Sequence, residues 1–154
     1  MSPLKKIVLI SGMVFIAIQF FQPTKNESNR ILDSEISKIV STPDSVLYIL
    51  KDACFDCHSN NTIYPWYSNV QPVGWLLARH IRKGREELNF SEFGSYTPRR
   101  QLSKLTGIAN SISDGIMPLS SYKLMHKNSI LSTYEKEQLI KWAQQARDSL
   151  SVKN

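Results

Sequence analysis

Apolar and polar positions along the chain change period several times, and each change marks an element. Residues 7–21 are a largely apolar run, interrupted only by Ser11 and Gln19 among polar side chains, behind Lys5 and Lys6 and closed by Pro23 and a polar stretch. A helix of that run would reach about 22 Å, short of a hydrocarbon core of about 30 Å, so it lies between an export-signal core and a membrane span. No small-x-small triplet follows it and Phe20 and Phe21 sit where a peptidase wants small residues. The expectation is therefore an uncleaved signal anchor or transmembrane helix over residues 1–23, with the lysines in the cytoplasm and the rest exported. Residues 24–41 are mostly polar and read as a tether, with room for a short helix near residues 31–40.

From residue 42 to residue 150 the pattern is helical. In "TPDSVLYILKDACFDCH" Thr42 can cap, Pro43 suits the first helical position, and Val46, Ile49, Leu50, Ala53, Cys54 and Cys57 fall on one stripe. A second helix is expected from about Pro72 to Glu87, with Val73, Leu76, Leu77, His80 and Ile81 inward. A third starts at Thr97-Pro98, turns Leu102, Leu105, Ala109 and Ile112 inward, and ends at Gly115 as a left-handed cap. The fourth opens with Ser132-Thr133-Tyr134-Glu135, a capping box, and buries Leu139, Trp142, Ala143, Ala146 and Leu150. Two loops separate them, "NNTIYPWYSNVQP" and "GIMPLSSYKLMHKNSI". No strand is expected. The fold class is all-α: a small domain of about four helices with long loops, behind one N-terminal helix.

Charge narrows the function. The whole chain carries a formal +6, and all its acidic residues lie in the exported part, which is about +4 once Lys5 and Lys6 are set aside. Basic residues cluster only at Arg79 to Arg85 and at Arg99-Arg100, so no nucleic-acid partner is expected. About 130 exported residues suffice for one domain with a real core.

The chemistry sits in "DACFDCHSNN", which holds both cysteines of the chain, two residues apart, with His58 next to the second. A structural zinc site wants four ligands, and no second cysteine pair exists, while His80 and His126 have no finger-like spacing. A thioredoxin-like dithiol wants a strand before the motif, whereas here a helix precedes it. Haem attachment asks for what is present: Cys54 and Cys57 as two thiols for two vinyl groups, and His58 as the adjacent ligand to iron. The sixth ligand stays open at this point. Met117, after the third helix and before Pro118, is preferred, since methionine opposite histidine is the electron-transfer pairing. His80 on its apolar face, His126, Met125 or an open site are the alternatives. Tyr64, Trp66 and Tyr67 suit either a haem edge or an ordinary core.

These residues together give the chain a family resemblance. Through "CFDCHSN", "YPWYSNVQPV", "HIRKGREELNFSEF", "IMPLSSY" and "LSTYEKEQLIKW" it resembles the bacterial haem-binding domain family, from about Ser41 to Ala146. That family is similar to monohaem cytochromes c and is usually exported behind a single anchor. The resemblance implies thioether positions at Cys54 and Cys57, a proximal ligand at His58, and a match of Met117 to the methionine of a methionine-proline pair. It implies haem c, with its iron, as cofactor. The aromatic insert departs from the small-cytochrome pattern, so that fold is borrowed only at its two ends. The expected function is single-electron transfer with redox partner proteins, by a carrier rather than an enzyme, anchored in the inner membrane through the N-terminal helix and facing the periplasm. Two other functions stand beside it: a haem sensor or peroxidase-like protein with an open distal site, and a thiol-disulfide protein without haem.

Overall fold

The computed structural model describes residues 2–28 and 30–153; Met1, Asn29 and Asn154, which belong to the expected anchor, tether and C-terminus, lie outside the described residues. Its elements in order are α1 (Pro3–Ile18), α2 (Ile36–Ile39), α3 (Asp44–Ala53), α4 (Phe55–His58), α5 (Val73–Glu87), α6 (Pro98–Ser113), α7 (Ser120–Met125) and α8 (Thr133–Lys153). Short 3₁₀ turns sit at Trp66–Asn69, Phe90–Ser95 and Lys127–Ser129. Among the described residues there is no strand, only an isolated bridge between Glu27 and Asn61. The four expected domain helices are α3, α5, α6 and α8.

The core forms where α6 and α8 lie against each other and α3 closes one side. Leu105 of α6, Leu139 and Ala143 of α8, and Leu50 of α3 are fully buried. Each such leucine contributes roughly 1.5–3 kcal/mol by leaving water. Trp142 Nε1 donates to the Ser41 carbonyl at 3.1 Å, which ties the start of α3 to α8. The expected inner faces of α6 and α8 are the observed ones, and their caps are too. Thr97 Oγ1 accepts from Arg100 N, and Ser132 and Glu135 hold each other, with Glu135 Oε2 accepting from Ser132 N at 2.8 Å. Gly115 has φ +69, the left-handed region where a side chain would be strained, and it turns the chain sharply off α6.

Three expectations need correction. The first domain helix is not continuous through the cysteines: it stops at Ala53, Cys54 has φ −130 and ψ −40, and α4 begins afresh at Phe55. Thr42 does not cap it, its hydroxyl donating instead to the Val40 carbonyl at 3.1 Å, while Pro43 stands one position before the helix. Residues 24–41 contain the expected short helix, as α2, but are packed on the domain rather than serving only as a polar tether. Ile36 and Val40 are in the core, and Asn26, Glu27 and Ser28 bond to residues 59–62. The aliphatic side chains at 36 and 40 find burial that the polar average of the stretch conceals.

The third correction concerns the N-terminus. Among the described residues no helix is long and apolar enough to cross a membrane. The helix α1 spans 16 residues, about 24 Å. It ends because Gln19, Phe20 and Phe21 tighten into i→i−3 bonds and Gln19 Nε2 turns back to the Phe15 carbonyl. A membrane-spanning anchor over residues 1–23 is therefore not supported.

Candidate functional site

The break at Cys54 builds the site. The Cys54 N–H closes α3 on Leu50, and its carbonyl accepts from both Cys57 N (3.2 Å) and His58 N (3.0 Å). One tight turn thus places two thiols and an imidazole together. Within it the two intervening residues point apart. Phe55 stacks on Phe90 with ring centroids 5.1 Å apart. Asp56 accepts from Ile63 N (2.9 Å) through Oδ1 and from the Tyr122 hydroxyl (2.7 Å) through Oδ2.

The turn is backed by the C-terminal end of α5. A methyl at Gly84 would stand 2.5 Å from the Cys57 carbonyl oxygen, so only glycine lets α5 approach this closely. One residue past that helix, the Leu88 carbonyl lies 3.0 Å from His58 Nδ1. A carbonyl only accepts, so Nδ1 carries the proton and Nε2 keeps its lone pair for a metal. Burial holds the His58 pKa below the ordinary histidine value, against the opposing pull of the Leu88 and Gly84 carbonyls, and so favours the neutral, ligating form. Asn60, just downstream, fastens this region to the turn at residues 90–95. Its Oδ1 accepts from Arg85 Nη2 (2.8 Å) and Asn89 Nδ2 (2.7 Å), and its Nδ2 donates to Glu92 Oε1 (2.8 Å).

His58 and Cys54 line a cavity of about 260 Å³ with Ile108, Met117, Pro118 and Leu131 among its walls. Met117 is brought there by the Gly115 turn: the Ile116 and Met117 N–H groups both donate to the Ser111 carbonyl, at 3.0 and 3.1 Å. Glu87 and Lys104 are the charged residues of the lining, and they pair at 3.7 Å. The donor set, an imidazole nitrogen and a thioether sulfur beside a thiol in apolar walls, fits a haem iron. The volume, about 260 Å³, is just under the roughly 300–1,000 Å³ usual for small-molecule sites.

Both cysteines are free thiols. Burial, with Cys57 nearby, pushes the Cys54 thiol up to about 12, and burial, with Asp56 nearby, pushes Cys57 up to about 11. A reactive dithiol needs the opposite shift.

The structure thus gathers Cys54, His58 and Met117 around one cavity, while Cys57, packed against Gly84, is not among its lining residues. The other candidate ligands are elsewhere. His80 does not line the cavity. His126 stacks on Tyr122 with centroids 4.0 Å apart, and Met125 is exposed. The aromatic insert does not line it either: Trp66 is exposed, Tyr64 accepts from Asn26 N, and Tyr67 leans toward His126. Sequence reasoning missed Gly84, Leu88, Lys104 and Asn60. A glycine inside an otherwise strong helix was the available signal for Gly84; a backbone carbonyl such as that of Leu88 leaves none.

A model of the haem-binding domain family matches residues 13–145. Neither a curated protein nor a solved structure matches the chain.

Proposed function

The chain belongs to the haem-binding domain family and takes haem as its cofactor, and from that premise we propose that it holds one haem c through Cys54 and Cys57. In this reading His58 and Met117 would hold the iron in a cytochrome c-like domain. It carries single electrons between redox partner proteins on the periplasmic side of the inner membrane, to which its basic, apolar N-terminus directs it. The observation that carries the reading is that Cys54 and His58 of the chain's one CxxCH turn line the same cavity as Met117, with His58 Nδ1 committed to a carbonyl.

Bound there, the haem supplies a one-electron couple. The chain's part is to tune it. The Leu88 carbonyl orients the imidazole and raises its donor strength. Met117 offers a soft sulfur that favours the reduced iron. Ile108, Ile112 and Leu131 exclude water and keep the local dielectric low.

The test is to purify the full chain from cells with a haem-attachment system. Haem is expected to stay on the chain through denaturing electrophoresis; haem that leaves would overturn the covalent assignment. Slow carbon monoxide binding to the reduced protein is expected of a closed sixth position, whereas rapid binding would favour an open-site sensor or peroxidase-like protein.

A further inference from the structure

The apolar surface that the fold leaves uncovered is concentrated around α1. No residue of α1 is buried, although nearly all of it is apolar. At its foot Phe20 and Phe21 project, Phe20 being 82 % exposed. The first turn of α5 adds Val73, Trp75 and Leu76; the helical pattern assigns Val73 and Leu76 to an inner face, and the structure leaves all three exposed.

These two groups are bolted together. Gln19 Nε2 donates to the Gln71 carbonyl (3.2 Å), and Gln71 N donates back to Gln19 Oε1 (2.8 Å). Gln71 Nε2 donates to Gln22 Oε1 (2.9 Å), and Gln22 Nε2 to the Asn69 carbonyl (3.0 Å). Trp75 Nε1 donates to the Phe21 carbonyl (2.7 Å). Gln71 itself is fully buried. A free leash needs no such joint.

We propose that Phe20, Phe21, Val73, Trp75 and Leu76 form a face that seats on a lipid bilayer, and that the joint of Gln19, Gln22 and Gln71 fixes how the domain stands on it. The occupant is lipid rather than protein because the face continues into α1. A helix apolar on all sides is covered by a protein core or by lipid, and α1 lies outside this core, whereas a partner groove covers one stripe. At about 24 Å, α1 does not reach through a hydrocarbon core, and the aromatic residues at its foot extend the apolar depth to the interfacial level, where tryptophan and phenylalanine serve as anchors. Charge agrees with this order. Arg79, Arg82 and Lys83, all exposed, follow one to two turns after Trp75 on α5, at the place where anionic headgroups follow hydrocarbon. The face does not depend on the haem reading.

The experiment uses the full chain in vesicles of phosphatidylethanolamine and phosphatidylglycerol, with p-benzoylphenylalanine replacing Phe15, Trp75 or, as a more exposed aromatic on α8, Tyr134. After irradiation, intact mass is expected to show a lipid adduct at 15 and at 75, and none at 134. Gln71→Ala should diminish the adduct at 75 and leave that at 15 unchanged. An adduct at 15 without one at 75 would overturn the proposal, because α1 would then hold lipid while the domain swings free. Cross-linking of position 75 to a second copy would overturn it as well. Lipid at 134 as readily as at 75 would also do so, since no face would be preferred.

Discussion

The two sides of the cavity are built by different means. On the side of His58 every placement is held by backbone: the Cys54 carbonyl closes the turn, the Leu88 carbonyl fixes the imidazole, and Gly84 lets α5 press on Cys57. On the side of Met117 a short turn hangs from one acceptor, the Ser111 carbonyl, and α7 beyond it is tied back by a side-chain bond, Tyr122 to Asp56. The chain therefore commits one ligand before any cofactor arrives and leaves the other to be set afterwards. Main-chain acceptors inside a packed core cannot be shifted singly, whereas a turn with one anchoring carbonyl can yield.

Breaking the rigid side is expected to do the most damage. Gly84→Ala puts a methyl against a backbone oxygen that has nowhere to go, which costs about 1–3 kcal/mol as overpacking and displaces Cys57 and His58. Urea unfolding should show the lost stability, and the yield of haem-bearing protein should collapse; normal yield at wild-type stability would mean that the close approach is dispensable.

Met117→Ala tests the yielding side. Covalent haem should persist, the weak sulfur-to-iron band at the red end of the oxidised spectrum should vanish, and the potential should fall by on the order of 0.1–0.2 V, a fraction of the roughly 0.8 V that axial ligation spans. A ligand spectrum that changes in His80→Ala and not in Met117→Ala would transfer the sixth position to α5.

Tyr122→Phe sharpens the contrast without touching a ligand. Burial, reinforced by the bond donated to Asp56, holds the Tyr122 phenol well above its ordinary pKa, so it stays a proton donor throughout the physiological range. Losing a hydrogen bond to a carboxylate costs about 1.5–3 kcal/mol. Carbon monoxide binding to the reduced protein should quicken while the attachment of haem is unaffected. An unaltered rate would show that the tie does not restrain the Met117 turn.

The mildest change belongs to the charged edge. Lys104→Ala leaves Glu87 uncompensated beside the cavity, and because the Glu87 side chain is mostly exposed, solvent screens its charge and keeps the effect small. Redox titration should find a potential lower by tens of millivolts, with the axial-ligand spectrum intact.

How much of this was legible differs by element. The inner faces of α6 and α8 follow from spacing, because an amphipathic helix has one way to bury a stripe such as Leu139, Trp142, Ala143, Ala146 and Leu150. The stripe through Cys54 and Cys57 misled, because continuing a helix past Ala53 suits the spacing equally well and nothing local marks the break. Val73 and Leu76 misled in the opposite sense: their spacing signals burial, and the fold offers them no core.

Local order along the chain is enough for the all-helical class, for the capping residues that start α6 and α8, and for the chemistry of the motif, since Cys54, Cys57 and His58 are defined by their offsets alone. Which distant residues meet that motif is a matter of packing. That Met117, rather than His80, shares the cavity with His58 follows from the Gly115 turn and the packing of α6. That His58 presents Nε2 follows from a carbonyl thirty residues away, at Leu88. Offsets along a chain fix neighbours, while meetings between distant segments depend on how whole helices pack, which no short pattern records.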